Sequence, residues 1–415
     1  MATAHLEKIL NASRLGSDDG GNRYGIGPFY ANGVTLWKQQ IRALNLVYAL
    51  ASVAPPRLGE GKTVAVIGGG VSGMTAAIAA ASRGSVVHLF EQRPVLCHLQ
   101  LGCDTRWLHP HIYDWPAPGS ENPYAGLPLL NWKAGTAADV TDQITTEFYK
   151  HLKVLRDRLH LHMGATTRLT GTSQVQWDNS SGEPRGGESG FNAIIVAVGF
   201  GVEVGVSDGF ATSYWRNDSI NQPKPGVTSE KPALVFISGP GDGGLIDLLR
   251  SRINGFNQGR ILDELVRLPR DKSLVECLGV IGDTWRNRKK DDREFRKGWL
   301  FECYRQLLSD KAGDMQRVLN EVKKRLRPDT AAILCGGRAL TFAHALSLQG
   351  ASLFNTLIAF LLYELKAFNY VYGTSEPGRS GEVNKRVRAR GIEMGLPIPP
   401  EFVPIQLAAD FSRPD

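Results

Sequence analysis

The sequence predicts an α/β protein built on parallel sheets, and three observations predict it. An apolar, β-branched run, Thr63 to Ile67, leads into Gly68-x-Gly70-x-x-Gly73 and then a helix of small residues. A second apolar run, Ala233 to Ser238, leads into Gly239-x-Gly241-x-x-Gly244 and another helix-like stretch. Further strand-like runs, Val86 to Phe90 and Phe191 to Val198, alternate with segments of helical period. That alternation is the pattern of β-α-β units.

The elements follow in order. The first thirty residues, with Ser17-Asp18-Asp19-Gly20-Gly21, read as an irregular arm. From Thr35 the apolar residues Trp37, Ile41, Leu44, Tyr48 and Ala51 recur at helical spacing, and Pro55-Pro56 stops that helix. The β-α-β unit comes next. Gly68 permits a tight turn, Gly70 lets the backbone approach a pyrophosphate, and Gly73 lets helix and strand pack closely. The helix N-terminus offers N–H groups and a positive dipole end to the phosphates. The second strand ends at Glu91, where a carboxylate can accept hydrogen bonds from a ribose diol. A glycine motif alone is weak in a chain with 46 glycines. The ordered set of strand, glycines, helix and terminal acid makes this one a dinucleotide site.

Residues 92–126 form an aromatic, histidine-rich stretch whose prolines and glycines exclude long regular structure. Val140, Ile144, Phe148, Leu152, Leu155 and Leu159 define the buried stripe of another helix. Short strands follow around Leu161 to Met163 and Gln174 to Asp178, and a glycine-rich turn from Gly182 to Gly190 leads to a buried strand ending at Gly199. Beyond the second glycine loop, residues 261–326 read as charged and helical. A strand at Ala331 to Cys335 and a helix from Ser352 to Phe368 return to a core. From Gly373 the proline and glycine content predicts a loosely ordered tail. The expected organisation is an arm and helix at 1–60, a dinucleotide-binding domain with a small strand insertion at 61–230, a second Rossmann-like half with a helical, charged insertion at 231–372, and a tail at 373–415.

At 415 residues the chain has room for two or three cores, and its 42% hydrophobic content is that of a globular protein. No signal-peptide pattern opens the sequence and no apolar stretch is long enough to span a bilayer, so a cytoplasmic protein with no membrane partner is expected. Cys97, Cys103, Cys277, Cys303 and Cys335 are dispersed and nowhere CxxC, which argues against a disulfide scaffold and a zinc ribbon. Cys97, His98, Cys103, His109 and His111 match no common zinc spacing, so no metal is expected. The net charge of +7 is concentrated around Arg286 to Lys290, Lys323 to Arg325 and Lys385 to Arg390. Asp291, Asp292 and Glu294 interrupt the first cluster and few aromatics are interleaved, so solvated helix faces are favoured over a nucleic-acid surface.

In the glycine unit, the terminal Glu91, the strand end Ala197-Val198-Gly199 and the second glycine loop, residues 62–250 resemble the two-dinucleotide-binding FAD flavoproteins, the glutathione-reductase-like superfamily. The resemblance implies a Rossmann-type FAD-binding domain and a flavoprotein oxidoreductase. By it, Gly68, Gly70, Ser72 and Gly73 would hold the FAD pyrophosphate, Glu91 the adenosine ribose, and Gly199 the cofactor's near side. Gly239, Gly241 and Gly244 would hold NAD(P)H if the second loop binds a nucleotide. Pro240, which lacks an N–H, and Asp242, which brings a negative charge, depart from the family's pattern there. If the helical stretch is an insertion, Arg338, just beyond the strand ending at Cys335, could meet a 2′-phosphate. Gly282-Asp283 looks like a late flavin-contacting pair but comes too soon after Gly244 for that role.

In the aromatic stretch, Arg106 is a candidate for binding a substrate carboxylate or a reduced-flavin anion, and His109 and His111 for general acid–base work. Backbone hydrogen bonding within a proline-rich loop is the plain alternative for either histidine. The expectation is an FAD-dependent oxidoreductase acting on a small molecule. With NAD(P)H on the second loop it would be of monooxygenase or reductase type, and without it an amine- or amino-acid-oxidase-like enzyme. A non-catalytic dinucleotide-binding sensor is the alternative of a different class.

Overall fold

A computed structural model describes residues 2–16, 21–27, 34–170, 173–178, 184–188, 190–199, 214–221, 228–257, 272–287, 298–310, 312–336, 339–348, 351–372 and 406–407. The chain divides into two compact units. Unit 1 holds residues 1–110 and 123–201, and unit 2 holds residues 111–122 and 202–415.

Unit 1 is built on a five-stranded, wholly parallel sheet. Its strands are β1 (Arg23–Gly25), β2 (Thr63–Ile67), β3 (Val86–Glu91), β6 (Leu159–Met163) and β10 (Ala193–Val196), in the order β1-β10-β2-β3-β6. β2 is central and buried on both faces, which suits its unbroken β-branched and small apolar run. Helices α2 (Leu36–Ser52), α3 (Val71–Ser82) and α4 (Ala137–Val154) belong to this unit. The alanines of α3 leave almost no side-chain bulk, so the helix packs closely on α2 and on the sheet. The start of α4 is fixed by a capping box. Thr136 accepts from the Asp139 N–H at 3.1 Å and Asp139 accepts from the Thr136 N–H at 3.0 Å. One sheet face joins these helices in a core through Val64, Val66, Val87 and Leu89. The other face, through Ala65, Ile67, Phe90 and Ile194, packs with Val175 and Trp177 of an antiparallel meander. The meander consists of β7 (Thr166–Thr170), β8 (Gln174–Asp178) and β9 (Pro184–Glu188). A two-stranded ribbon, β4 (Trp107–Leu108) with β5 (Gly135–Thr136), completes the unit.

Two sequence expectations are corrected here. The described parts of the N-terminal arm are regular: Ala2–Ser13 forms helix α1, whose Leu6, Ile9 and Leu10 join the unit 1 core, and Arg23–Gly25 forms the edge strand beside β10, while residues 17–20 lie outside the described residues. The apolar spacing that orders α1 is one short stripe, easily masked by the polar residues after it. The presumed turn at Gly182 to Gly190 contains strand β9, because hydrogen bonding to β8 overrides the low strand propensity of glycine.

Unit 2 carries a second parallel sheet of β11 (Ala233–Ser238), β12 (Thr330–Cys335), β13 (Phe368–Val371) and β14 (Gln406–Leu407), in the order β13-β12-β11-β14. Helix α5 (Asp242–Arg252) follows β11. Helices α6 (Lys272–Asn287), α7 (Trp299–Asp310) and α8 (Ala312–Lys324) fill the connection to β12. Helices α9 (Phe342–Leu348) and α10 (Leu353–Glu364) connect β12 to β13. This is a β-α-β-α-β half whose first crossover carries the expected helical insertion. The expected helix to Phe368 ends four residues early: Phe368 already pairs with Ala332 as the start of β13. The 373–405 and 408–415 parts of the tail lie outside the described residues.

Three histidines meet on the β3–β6 pair of unit 1. His88 Nδ1 lies 3.0 Å from His162 Nε2, and the His88 ring centroid is 5.0 Å from that of His160. Phe90, Phe191 and Trp177 surround them. Burial, and then the nearby His160, hold the His88 imidazole below its ordinary pKa of 6.5. The unfolded chain therefore binds more protons than the native one in mildly acidic solution. The stability His88 contributes is complete above its unfolded pKa and is lost as pH falls toward the native value. The melting temperature is expected to fall from about pH 7.5 to about pH 5.5, and less so in His88→Asn. Parallel thermal melts of the two proteins check this.

Candidate functional site

The glycine loop of unit 1 sits at the C-terminal edge of the sheet, between β2 and α3, the place where open α/β sheets bind ligands. Its geometry is set by close backbone approach. Gly68 has φ +108°, and a Cβ built there would collide with the Ala197 carbonyl at the end of β10. A Cβ on Gly73 would overlap the Gly68 carbonyl oxygen. A Cβ on Gly69 would meet Leu96 at 2.6 Å and the Glu91 carboxylate at 2.9 Å. Gly70 differs from all three: a Cβ there meets nothing within 4 Å. It caps α3 with extended backbone and no side-chain hydrogen bond. The protein fills the space around three of these glycines and leaves open the fourth, the one at the helix N-terminus. That opening lies at a helix N-terminus, which favours an anionic group.

Glu91 ends β3 and is held toward this loop. Its Oε2 accepts from the Gly69 N–H at 2.6 Å and its Oε1 from the Arg93 N–H at 2.7 Å. Two backbone donors thus fix the carboxylate beside the turn, with further lone pairs left over. Cys97, at φ +50°, donates its N–H to the Gly69 carbonyl at 3.1 Å and braces the turn from below. Burial, then the neighbouring Glu91, push its thiol up to about 12, so Cys97 is a packing residue and no thiolate nucleophile. Cys97 and Cys103 are both free. Val198 is 63% exposed beside Ala197, and Gly199 follows at φ +75°. Ser72 lies in the first turn of α3.

Arg106 and His109 are buried in unit 1. The backbone of Arg106 is tied in by the Ala137 N–H. His111 belongs to unit 2, where its Nδ1 lies 3.6 Å from Asp114 Oδ2. The three candidates are thus divided between the units. The second loop is also a strand-turn-helix: Gly239 has φ +94°, Gly241 caps α5, and Gly244 is buried in its first turn. Asp283 is paired with Arg286 one turn along α6 at 2.6 Å. Arg338 lies outside the described residues. Among the described residues no group of three or more His, Cys, Asp and Glu is arranged to hold a metal ion, and no helix is long and apolar enough to cross a membrane.

Sequence reasoning missed Gly69, Leu96 and Cys97 as parts of the turn. The run of three glycines at 68–70 was the available signal for Gly69. Leu96 and Cys97 carry no local pattern, since their role arises only when the chain after β3 folds back.

Parallel sheet, glycine turn and positioned acid define unit 1 as a Rossmann-type dinucleotide-binding domain. More narrowly, residues 63–199 match the family described as FAD dependent oxidoreductase (DAO). No curated protein matches the chain. Solved structures similar to it include three reductases. These are bacillithiol disulfide reductase Bdr (YpdA) from Staphylococcus aureus (11% identity, 47% of this chain and 54% of that one, TM-score 0.28), thioredoxin reductase from Lactococcus lactis (11%, 45% and 51%, 0.26) and thioredoxin reductase from T. acidophilum (14%, 46% and 52%, 0.25). The chain spans about half the length of each.

The glycines separate ligand binding from folding. Gly73→Ala is expected to destabilise unit 1 by roughly 1–3 kcal/mol through overpacking and to abolish dinucleotide binding. Gly70→Ala has room for its methyl group. It should cost about 1 kcal/mol or less as a cap change while still weakening the dinucleotide. Thermal melts beside a binding titration distinguish the two.

Proposed function

We propose that this protein is an FAD-dependent oxidoreductase that binds FAD on unit 1 and acts on a small-molecule substrate. The observation that carries this reading is the open space at Gly70, within a segment matched by the FAD dependent oxidoreductase family. The N–H groups at the start of α3, around Gly70, Ser72 and Gly73, would hold the pyrophosphate. Glu91, fixed by Gly69 and Arg93, would accept the adenosine ribose hydroxyls. Gly199, in a backbone conformation that disfavours a side chain, would let the end of β10 approach the cofactor. FAD, when bound, supplies the two-electron chemistry at its ring, which is why a flavoprotein needs no catalytic triad of its own.

The chain's part is to bind, orient and exclude water. Arg106 and His109, buried polar groups of unit 1, are the proposed substrate- or flavin-facing side chains. His111, beside Asp114 in unit 2, is better explained as part of that unit's own structure. A reductase or monooxygenase cycle fits if the second loop binds NAD(P)H. An amine- or amino-acid-oxidase-like reaction needs only the organic substrate as electron donor.

The purified protein is expected to be yellow, with flavin absorption bands, or to take up FAD with that spectrum. Colourless protein that refuses FAD refutes the proposal. Glu91→Gln keeps the shape and removes the charge. It is expected to weaken FAD about ten- to a hundredfold, as for loss of hydrogen bonds to a charged acceptor. Fluorescence quenching of FAD on titration measures this.

A further inference from the structure

The second glycine loop has the spacing of a phosphate-binding turn, yet its surroundings within unit 2 are filled by the chain itself. Asp242 stands at the first helical position of α5. Its Oδ1 accepts from the Ser352 N–H at 2.9 Å and from Asn355 Nδ2 at 2.8 Å, both at the N-terminal end of α10. Its Oδ2 accepts from the Tyr113 hydroxyl at 3.0 Å. One carboxylate therefore ties together the starts of two neighbouring helices and the 111–116 segment. The anion that favours those helix ends is already supplied by the protein.

The second position of α5 is taken as well. The Tyr214 ring lies 3.1 Å from where a Cβ on Gly243 would stand, so the bare backbone there accommodates an aromatic ring. Pro240 contributes no N–H to the turn. Next to Tyr113, Ile112 and Trp115 are buried in the unit 2 core, and Trp115 meets Phe354 of α10 edge-on at 5.4 Å between centroids. Arg286 of α6 donates to the Asp114 carbonyl at 3.1 Å. The 111–116 segment is thus held by three helices of unit 2.

We infer that the Gly239–Gly244 turn is an internal latch for residues 111–116 and not a nicotinamide site. A pyrophosphate there would bring two negative charges against a carboxylate already satisfied by three donors, and would have to displace Tyr214. Taken with the FAD reading, on which this consequence alone rests, a flavin on unit 1 is reduced by a donor other than a dinucleotide held on this turn.

Hydrogen–deuterium exchange on the full chain tests the latch, with FAD, NADH and NADPH added separately. Neither nicotinamide, at millimolar concentration, should slow exchange across residues 234–250. Saturable protection of residues 239–245 by either one overturns the inference. Protection of residues 63–80 by FAD is read in the same experiment and bears on the FAD reading alone, so the two ideas fail separately. Tyr113→Phe removes one hydroxyl from the latch. It should speed exchange across residues 111–116 about fivefold, the equivalent of one hydrogen bond. Unchanged exchange there would also overturn the latch.

Discussion

The Gly68 carbonyl oxygen lies where a Cβ on Gly73 would stand, and the Ala197 carbonyl lies where a Cβ on Gly68 would stand. These two contacts press the start of α3 into the sheet between β2 and β10. They are possible only because both residues are glycine. That closeness fixes where α3 starts, and the Gly69 N–H holds Glu91 beside it. A turn one methyl group wider would still connect a strand to a helix. It would not start the helix at the same open position, Gly70.

The two glycine loops show how little the motif says without its surroundings. Each runs strand, positive-φ glycine, capping glycine, helix. In unit 1 the first helical residue is Val71, which has no charge, and the acid comes from the neighbouring strand and bonds to the turn's own backbone. In unit 2 the acid is the first helical residue, and it bonds outward to α10 and Tyr113. An identical spacing thus leaves open space at Gly70 in one case, and in the other sets a bonded carboxylate and an aromatic ring beside the capping glycine. The deciding variable is which element supplies the carboxylate.

Much of this was legible in the sequence. The β2–α3–β3 unit, its terminal Glu91 and the two-half α/β organisation are set by local periodicity and by glycines at fixed offsets, which a single sequence displays. Helix α1 and strands β1, β9 and β13 were not legible. Strands β1 and β13 are short and pair with strands distant in sequence, β1 with β10 and β13 with β12. Strand β9, with Gly186 and Gly187, has a composition that argues against a strand until β8 supplies its hydrogen bonds.

The aromatic stretch after Glu91 shows a different kind of limit. Along the chain, residues 106–116 form one continuous aromatic and histidine-rich run. In space the run is divided: Arg106 and His109 stay with unit 1, whereas His111, Tyr113 and Trp115 are built into unit 2. Ile112 and Trp115 are held by burial, and Tyr113 by the carboxylate of a residue 129 positions away. No local pattern encodes a contact of that separation. Large aromatic side chains in a proline-rich segment signal that something is covered, and what they cover here is the core of unit 2 and the N-terminal turns of α5 and α10. The residue that made the second glycine loop look defective as a nucleotide site, Asp242, is the one that holds the aromatic segment in place.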